Sequence, residues 1–183
     1  MATPDPVEIV PYSTEWPETF SVLGRSLRDA LGDVAVRIDH IGSTAVPGLS
    51  AKPIIDVQVS VSAFDPLDAY RRPLEHLGFV FRAENPELTK RYFRESPGTR
   101  RTHIHVRRSG SWAEQFALLF RDYLRAHTDD AKQYERLKRE LADKYREDRH
   151  AYTEAKVPFI WGVMARADRW SQETGWEPRP SDA

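Results

Sequence analysis

The chain has 183 residues, 40% hydrophobic and 30% charged, enough apolar surface for one buried core and too much for a disordered chain. Its 27 basic and 28 acidic residues nearly cancel, which argues against a global attraction to nucleic acid or membrane and leaves any polyanion site to local clustering. The sequence has no cysteine, which excludes disulfides, a zinc ribbon and a thiol nucleophile.

The stretch from Met1 to Glu8 is Pro-rich and acidic and lacks the apolar run of a secretory signal. No segment approaches the ~20 apolar residues of a membrane span, so the expected compartment is the cytoplasm. Ser13 and Thr14 then open a helix whose apolar residues Trp16, Phe20, Leu23, Leu27 and Leu31 recur at steps of three and four; Pro17 sits in its first turn and Gly32 ends it. Val34 to Ile41 reads as a strand that runs into a loop punctuated by Gly and Pro, from Gly42 to Pro53.

Pro53 to Val61 alternates strictly. Ile55, Val57, Val59 and Val61 fall on a core face, while Ile54, Asp56, Gln58 and Ser60 fall on the opposite one. Asp65 is placed to cap a helix with Pro66 at its first position, and Pro73 should break or kink it before Gly78. Phe79 to Arg82, Lys90 to Glu95 and Arg101 to Arg107 read as three further strands, the last two joined by Ser96, Pro97 and Gly98.

Three helices follow. Ser111 and Glu114 form a capping box ahead of Trp112, Phe116, Leu119, Phe120 and Tyr123. Thr128, Asp129 and Asp130 open a charged helix with the apolar line Tyr134, Leu137, Leu141 and Tyr145, read as core contacts. Pro158 starts or kinks a last helix that holds Phe159, Ile160, Val163, Met164 and Trp170. The order of elements predicts an α+β fold, a mixed β-sheet covered by helices. It is read as a single domain, with its core over about 9–108, C-terminal helices over about 111–172 and a frayed Pro-rich tail over 173–183. Neither G-x-G-x-x-G after the first strand nor G-x-x-x-x-G-K-[ST] occurs, which removes the Rossmann and P-loop readings.

The chemistry-bearing segment is HIGSTAVPGLSAKPIIDV, from His40 to Val57. A Gly-Ser pair at the end of one strand, followed by a carboxylate on the next, is similar to the nucleotidyltransferase superfamily. The fuller wording resembles the GrpB family, as do Thr102 to Val106 (THIHV), Phe120 to Arg125 (FRDYLR), Tyr134 with Leu137 and Lys138, and Lys156 with Phe159 and Ile160. The resemblance runs from about Ile9 to Ala167 and extends to the extra C-terminal domain of some dephospho-CoA kinases. It implies a nucleotidyltransferase-like fold, a link to nucleotide or coenzyme A chemistry, a triphosphate against the Gly-Ser loop and Mg²⁺ or Mn²⁺ at strand carboxylates.

The residues themselves support parts of this. Gly42 leaves room for a ligand near the backbone, so the N–H groups and hydroxyls of Ser43 and Thr44, with the cation of Lys52, are candidate phosphate contacts. Active nucleotidyltransferases offer Asp-x-Asp; this chain offers Asp56-Val-Gln58, and an amide is a poor substitute for a second carboxylate on a hard ion. Arg101, His103, His105 and Arg107 share one strand face. If that strand neighbours the Asp56 strand, two imidazoles and a carboxylate converge, a set suited to Zn²⁺, Mn²⁺ or Fe. Without metal, the same His and Arg residues would hold an anion, with a His as general base, and Arg94 on the preceding strand is a surface cation within reach of phosphate.

Three functions stay open: transfer of a nucleotidyl group from a nucleoside triphosphate, non-catalytic binding of a nucleotide or coenzyme A-like ligand, and metal-dependent chemistry at Asp56, His103 and His105. The remaining features have plainer readings. His40 packs at a strand end, Arg121 and Asp122 form a local helix pair, Trp112 and Phe116 are core or a dimer patch, and the charge run from Lys138 to Arg149 is a solvated face.

Overall fold

The computed structural model describes residues 6–183; the reading of the N-terminal segment as lacking a signal rests largely on residues 1–5, outside the described ones. Helix α1 (Glu15–Leu31) buries Trp16, Phe20, Leu27 and Leu31, the expected stripe. Strand β1 (Arg37–Ile41) starts later than the alternation suggested, because Gly32–Val34 forms a 3₁₀ turn. β2 (Ile55–Val61), β3 (Phe79–Phe81), β4 (Lys90–Glu95) and β5 (Thr102–Arg108) complete one sheet of order β1-β2-β5-β4-β3. β2 and β5 are parallel, and every other pairing is antiparallel.

One sheet face carries Ile55, Val57, Val59 and Val61 with Ile104, Val106 and Phe93, packed on α1 and on α2 (Asp68–His76). Helix α2 begins at Asp68, so Asp65 does not cap it and Pro66 precedes it. It also runs through Pro73 to His76. One lost backbone bond is outweighed by burying Tyr70 and Leu74 in the core.

The opposite face is covered by α3 (Trp112–Ala126), α4 (Thr128–Lys144), α5 (Arg149–Ala155) and α6 (Val157–Thr174). Gln58 and Ser60 on that face are fully buried. The Ser111 cap forms, its hydroxyl accepting the Glu114 N–H, while the Glu114 carboxylate accepts the N–H of Gly110. Among the described residues, no helix is long and apolar enough to cross a membrane.

The tail after α6 is seated rather than frayed. The N–H groups of Asp182 and Ala183 donate to the Ile38 carbonyl, and the Asp182 carboxylate accepts from the His40 N–H at 3.0 Å and from Arg121 at 2.9 Å. These contacts occupy the outer edge of β1, whose ladder groups would otherwise lack partners. Arg121 and Asp122 form no mere local pair. Arg121 is 1% exposed and also donates to the His40 carbonyl, so this charge ties α3 to the sheet and the tail.

Candidate functional site

The site starts from strand register. Asp56 lies opposite His103, and Gln58 opposite His105, on the parallel neighbours β2 and β5. Alternation turns Asp56, His103 and His105 to one face. His103 Nδ1 comes within 3.2 Å of Asp56 Oδ1, and His105 Nε2 within 3.3 Å of the same oxygen. One ligand atom from each residue lies within 4.8 Å of the other two, a group able to hold a metal ion. Tyr92 on β4 packs against both imidazoles, at 5.6 and 5.3 Å between ring centres. His103 Nε2 and His105 Nδ1 are buried without a hydrogen-bond partner among the described residues.

Burial acts to raise the Asp56 pKa, but the hydrogen bonds from the two imidazoles outweigh it and hold the carboxyl far below the usual range. Burial lowers the pKa of His105 despite the nearby carboxylate. The site therefore favours a charged carboxylate beside a neutral His105, the protonation states that metal binding needs.

The loop after β1 explains the glycine. Gly42 has φ +73°, and a Cβ there would meet Asp56 Oδ2 at 2.8 Å. Gly42 therefore makes room for the Asp56 carboxylate. The chain turns at once into a 3₁₀ segment, Ser43–Ala45, whose first N–H groups have no partner within it. The Thr44 side chain does not serve as the expected phosphate donor: its hydroxyl donates to the Ile54 carbonyl at 3.1 Å and lies 3.0 Å from His40 Nε2. His40 is itself buried and stacked on Phe20, the packed strand-end role the sequence suggested; its pKa falls to about 4, mainly through burial.

A cavity of about 410 Å³ opens above these residues, reaching from Ser43 and Asp56 to α4, α5 and Lys156, the residue before α6. Its helical wall carries Tyr134, Lys138, Arg149, Tyr152 and Lys156, facing Lys52 from the loop. The Nζ atoms of Lys52 and Lys156 lie 5.0 and 4.4 Å from the centre of the Tyr152 ring, and Lys138 Nζ lies 4.8 Å from that of Tyr134. Burial lowers the Lys138 pKa to about 7, helped by Lys156, and that of Lys156 to about 8, helped by Lys52. Burial and Arg149 also lower that of Lys52. These cations are crowded against one another with Asp56 as the single carboxylate in the lining.

The other predicted residues sit elsewhere. Gln58 is fully buried, its amide nitrogen donating to the Glu114 carbonyl at 3.3 Å, and it does not line the cavity. Arg94 and Arg101 converge on Glu95, at 2.9 and 3.9 Å, outside the cavity lining.

The helical wall is what the sequence reading missed. Lys138 is only 2% exposed and turns inward, whereas Arg139, Glu140, Asp143, Lys144, Arg146 and Glu147 in the same run are exposed, the solvated face expected of them. A signal was present: Ala131, Tyr134, Lys138 and Ala142 form the buried line of α4, at steps of three and four, and that line includes a lysine. The larger Leu137 and Leu141, which drew the predicted stripe one residue aside, are only partly buried.

The donor set fits one kind of metal site better than another. Two magnesium ions bridged by paired carboxylates do not fit, because the second position holds Gln58, turned under α3. One carboxylate and two imidazoles fit a single, softer ion such as Zn²⁺ or Mn²⁺.

Comparison with known proteins agrees with this geometry at the level of family and fold. The chain is 34% identical over 166 residues to the UPF0157 protein YqkA of Bacillus subtilis, covering 91% of this chain and 48% of that protein. It is 33% identical over 199 residues to a dephospho-CoA kinase of Mycolicibacterium paratuberculosis, covering 94% of this chain and 49% of the kinase. The chain thus spans about half the length of both. The crystal structure of conserved protein GrpB from Enterococcus faecalis superposes with a TM-score of 0.81 at 31% identity, over 89% of this chain and 99% of that one. The Cid1 poly(U) polymerase bound to Mg 3'-dATP superposes at 0.55 with 12% identity, over 80% of this chain and 49% of the polymerase, a likeness of fold alone that makes the sheet nucleotidyltransferase-like. The family described as GrpB protein matches residues 6–166, and the chain belongs to the GrpB family.

Proposed function

We propose that the cavity binds a phosphorylated small molecule together with one divalent transition-metal ion. The observation that carries this reading is the juxtaposition of two unlike groups: the Asp56, His103 and His105 cluster as floor, and Lys52, Lys138, Arg149 and Lys156 as wall. Clustered, desolvated lysines such as Lys52, Lys138 and Lys156 call for an anion of two or more charges, because each lowers the pKa of the next until a counter-charge arrives. Asp56, His103 and His105 would hold the ion, which in such a place polarises a phosphoryl oxygen. The N–H groups of Ser43 and Thr44 and the lysine ammonium groups would bind the remaining phosphate oxygens and orient the ligand.

The buried Gln58 supports a second reading, in which the ligand is held without nucleotidyl transfer, since the paired-carboxylate chemistry of that reaction has no second carboxylate here. Analysis of products after long incubation of a nucleoside triphosphate with the protein and Mn²⁺ separates the two. An unchanged triphosphate supports binding alone.

Thermal unfolding with inorganic tripolyphosphate, with and without Zn²⁺, Mn²⁺ or Mg²⁺, tests the main reading. A ligand at a hundred times its Kd adds about 2.7 kcal/mol, roughly 5–10 °C for a chain of this size. Zn²⁺ or Mn²⁺ should stabilise more than Mg²⁺, and lose that effect in His103→Ala and His105→Ala. Tripolyphosphate should stabilise the wild type and not Lys138→Met/Lys156→Met. Protein that takes up neither Zn²⁺ nor Mn²⁺ and ignores tripolyphosphate would refute it.

A further inference from the structure

A second concavity lies beside the first. The groove between α3 and α6, about 430 Å³, is predominantly apolar and presents Trp112 and Trp161, which are 67% and 53% exposed. The two indoles are nearly parallel, 22° apart with ring centres 6.0 Å from each other, and Phe116 backs them at 5.0 and 5.6 Å. Two tryptophans left in water near the N-terminal ends of α3 and α6 mark a surface that binds something.

What they bind follows from where the groove runs. On β5, His105 lines the cationic cavity and Arg107, two residues on and about 7 Å along the same face, lines the groove. On α6 and the residue before it, Lys156 lines the cavity and Val157 the groove. The two concavities are therefore adjoining ends of one surface, one cationic and one aromatic, with the Arg107–Glu87 ion pair (2.9 Å) at the edge of the aromatic end.

We propose that the groove holds the planar aromatic end of the same phosphorylated ligand, stacked on Trp112 and Trp161, so that the ligand is of the nucleotide class rather than a simple polyphosphate. This rests on the phosphate-binding reading of the cavity and adds to it the residues that select the organic part. Indole faces stack on any base, and Arg107 with Glu87 offers donors and acceptors at the rim, so the groove favours a base-bearing ligand with modest preference among bases.

Wild type, Trp112→Ala and Trp161→Ala are compared in equilibrium binding of inorganic tripolyphosphate and of the four ribonucleoside triphosphates, in the presence of Mn²⁺. The wild type should bind at least one nucleoside triphosphate about tenfold or more tightly than tripolyphosphate, with quenched tryptophan fluorescence. Each variant should lose that advantage while keeping its affinity for tripolyphosphate. If the wild type binds tripolyphosphate and all four triphosphates equally, the aromatic subsite is refuted and the cavity reading stands. If it binds none of the five, both fall. If the patch instead drives concentration-dependent dimerisation that Trp112→Ala abolishes, the occupant is a second copy of the chain and the proposal is overturned.

Discussion

Two clusters of charge lie within or beneath the helical layer, and they differ in balance. Around Arg121, three guanidinium groups (Arg37, Arg121 and Arg125) meet three carboxylates (Asp39, Asp122 and Asp182), with Arg37 gripping Asp39 through both oxygens. In the cavity, Lys52, Lys138 and Lys156 share the lining with a single carboxylate, Asp56, whose Oδ1 is already occupied by two imidazoles, and Lys138 donates to the neutral Ser50 carbonyl. Matched charges cement β1, α3 and the tail. The lysines of the cavity, crowded together, weaken one another's charge, and in the proposed function a ligand supplies the counter-charge. Balance, more than burial, separates the two roles.

Removing the central cation of the matched cluster should have the largest effect. Arg121→Ala takes a hydrogen-bond donor from Asp122, Asp182 and the His40 carbonyl, and should cost about 3–5 kcal/mol in urea unfolding with the metal and phosphate sites of the surviving fold unchanged. A loss within 1 kcal/mol would mean that water enters freely and the contrast between the clusters is false.

The corresponding change in the unmatched cluster should behave oppositely. Lys156→Met should leave the free protein as stable or slightly more so, because it removes a desolvated, repelled charge. Tripolyphosphate affinity should fall roughly tenfold to a hundredfold, as expected for one lost charge-assisted contact of about 1.5–3 kcal/mol. The pH dependence has a definite sign. Lys138 and Lys156 titrate near 7 and 8 when folded and near 10.5 when unfolded, so above about pH 7 the unfolded chain holds more protons. Stability of the free protein should therefore rise with pH across this window, while tripolyphosphate affinity, which needs both ammonium groups, should fall. Affinity that is flat from pH 6.5 to 9 would remove these lysines from the site.

The smallest change sharpens the floor of the cavity. Gly42→Ala puts a side chain into a left-handed backbone position and against the Asp56 carboxylate, and should cost on the order of 1–2 kcal/mol. It should also weaken Zn²⁺ binding, measured by competition with a chromophoric chelator. Weakened metal binding with unaltered stability would place the effect on Asp56 alone.

The sequence by itself determined the elements and the floor of the site. Strict alternation put Asp56 opposite the valine face of β2, and His103 and His105 opposite Ile104 and Val106 on β5, because a strand can present a side chain on only two faces. The Gly-Ser loop wording identified the scaffold for the same local reason. The tertiary structure decided the rest. Only the parallel pairing of β2 with β5 made three donors one cluster, and only packing against α3 turned Gln58 away from it. Lys138 and Arg149 looked solvated because a charged residue on a helix shows nothing locally of what packs over it. The tail, polar and Pro-rich, became ordered through an unpaired strand edge 142 and 143 positions away in the chain and a buried arginine 61 positions away, partners that no local pattern encodes.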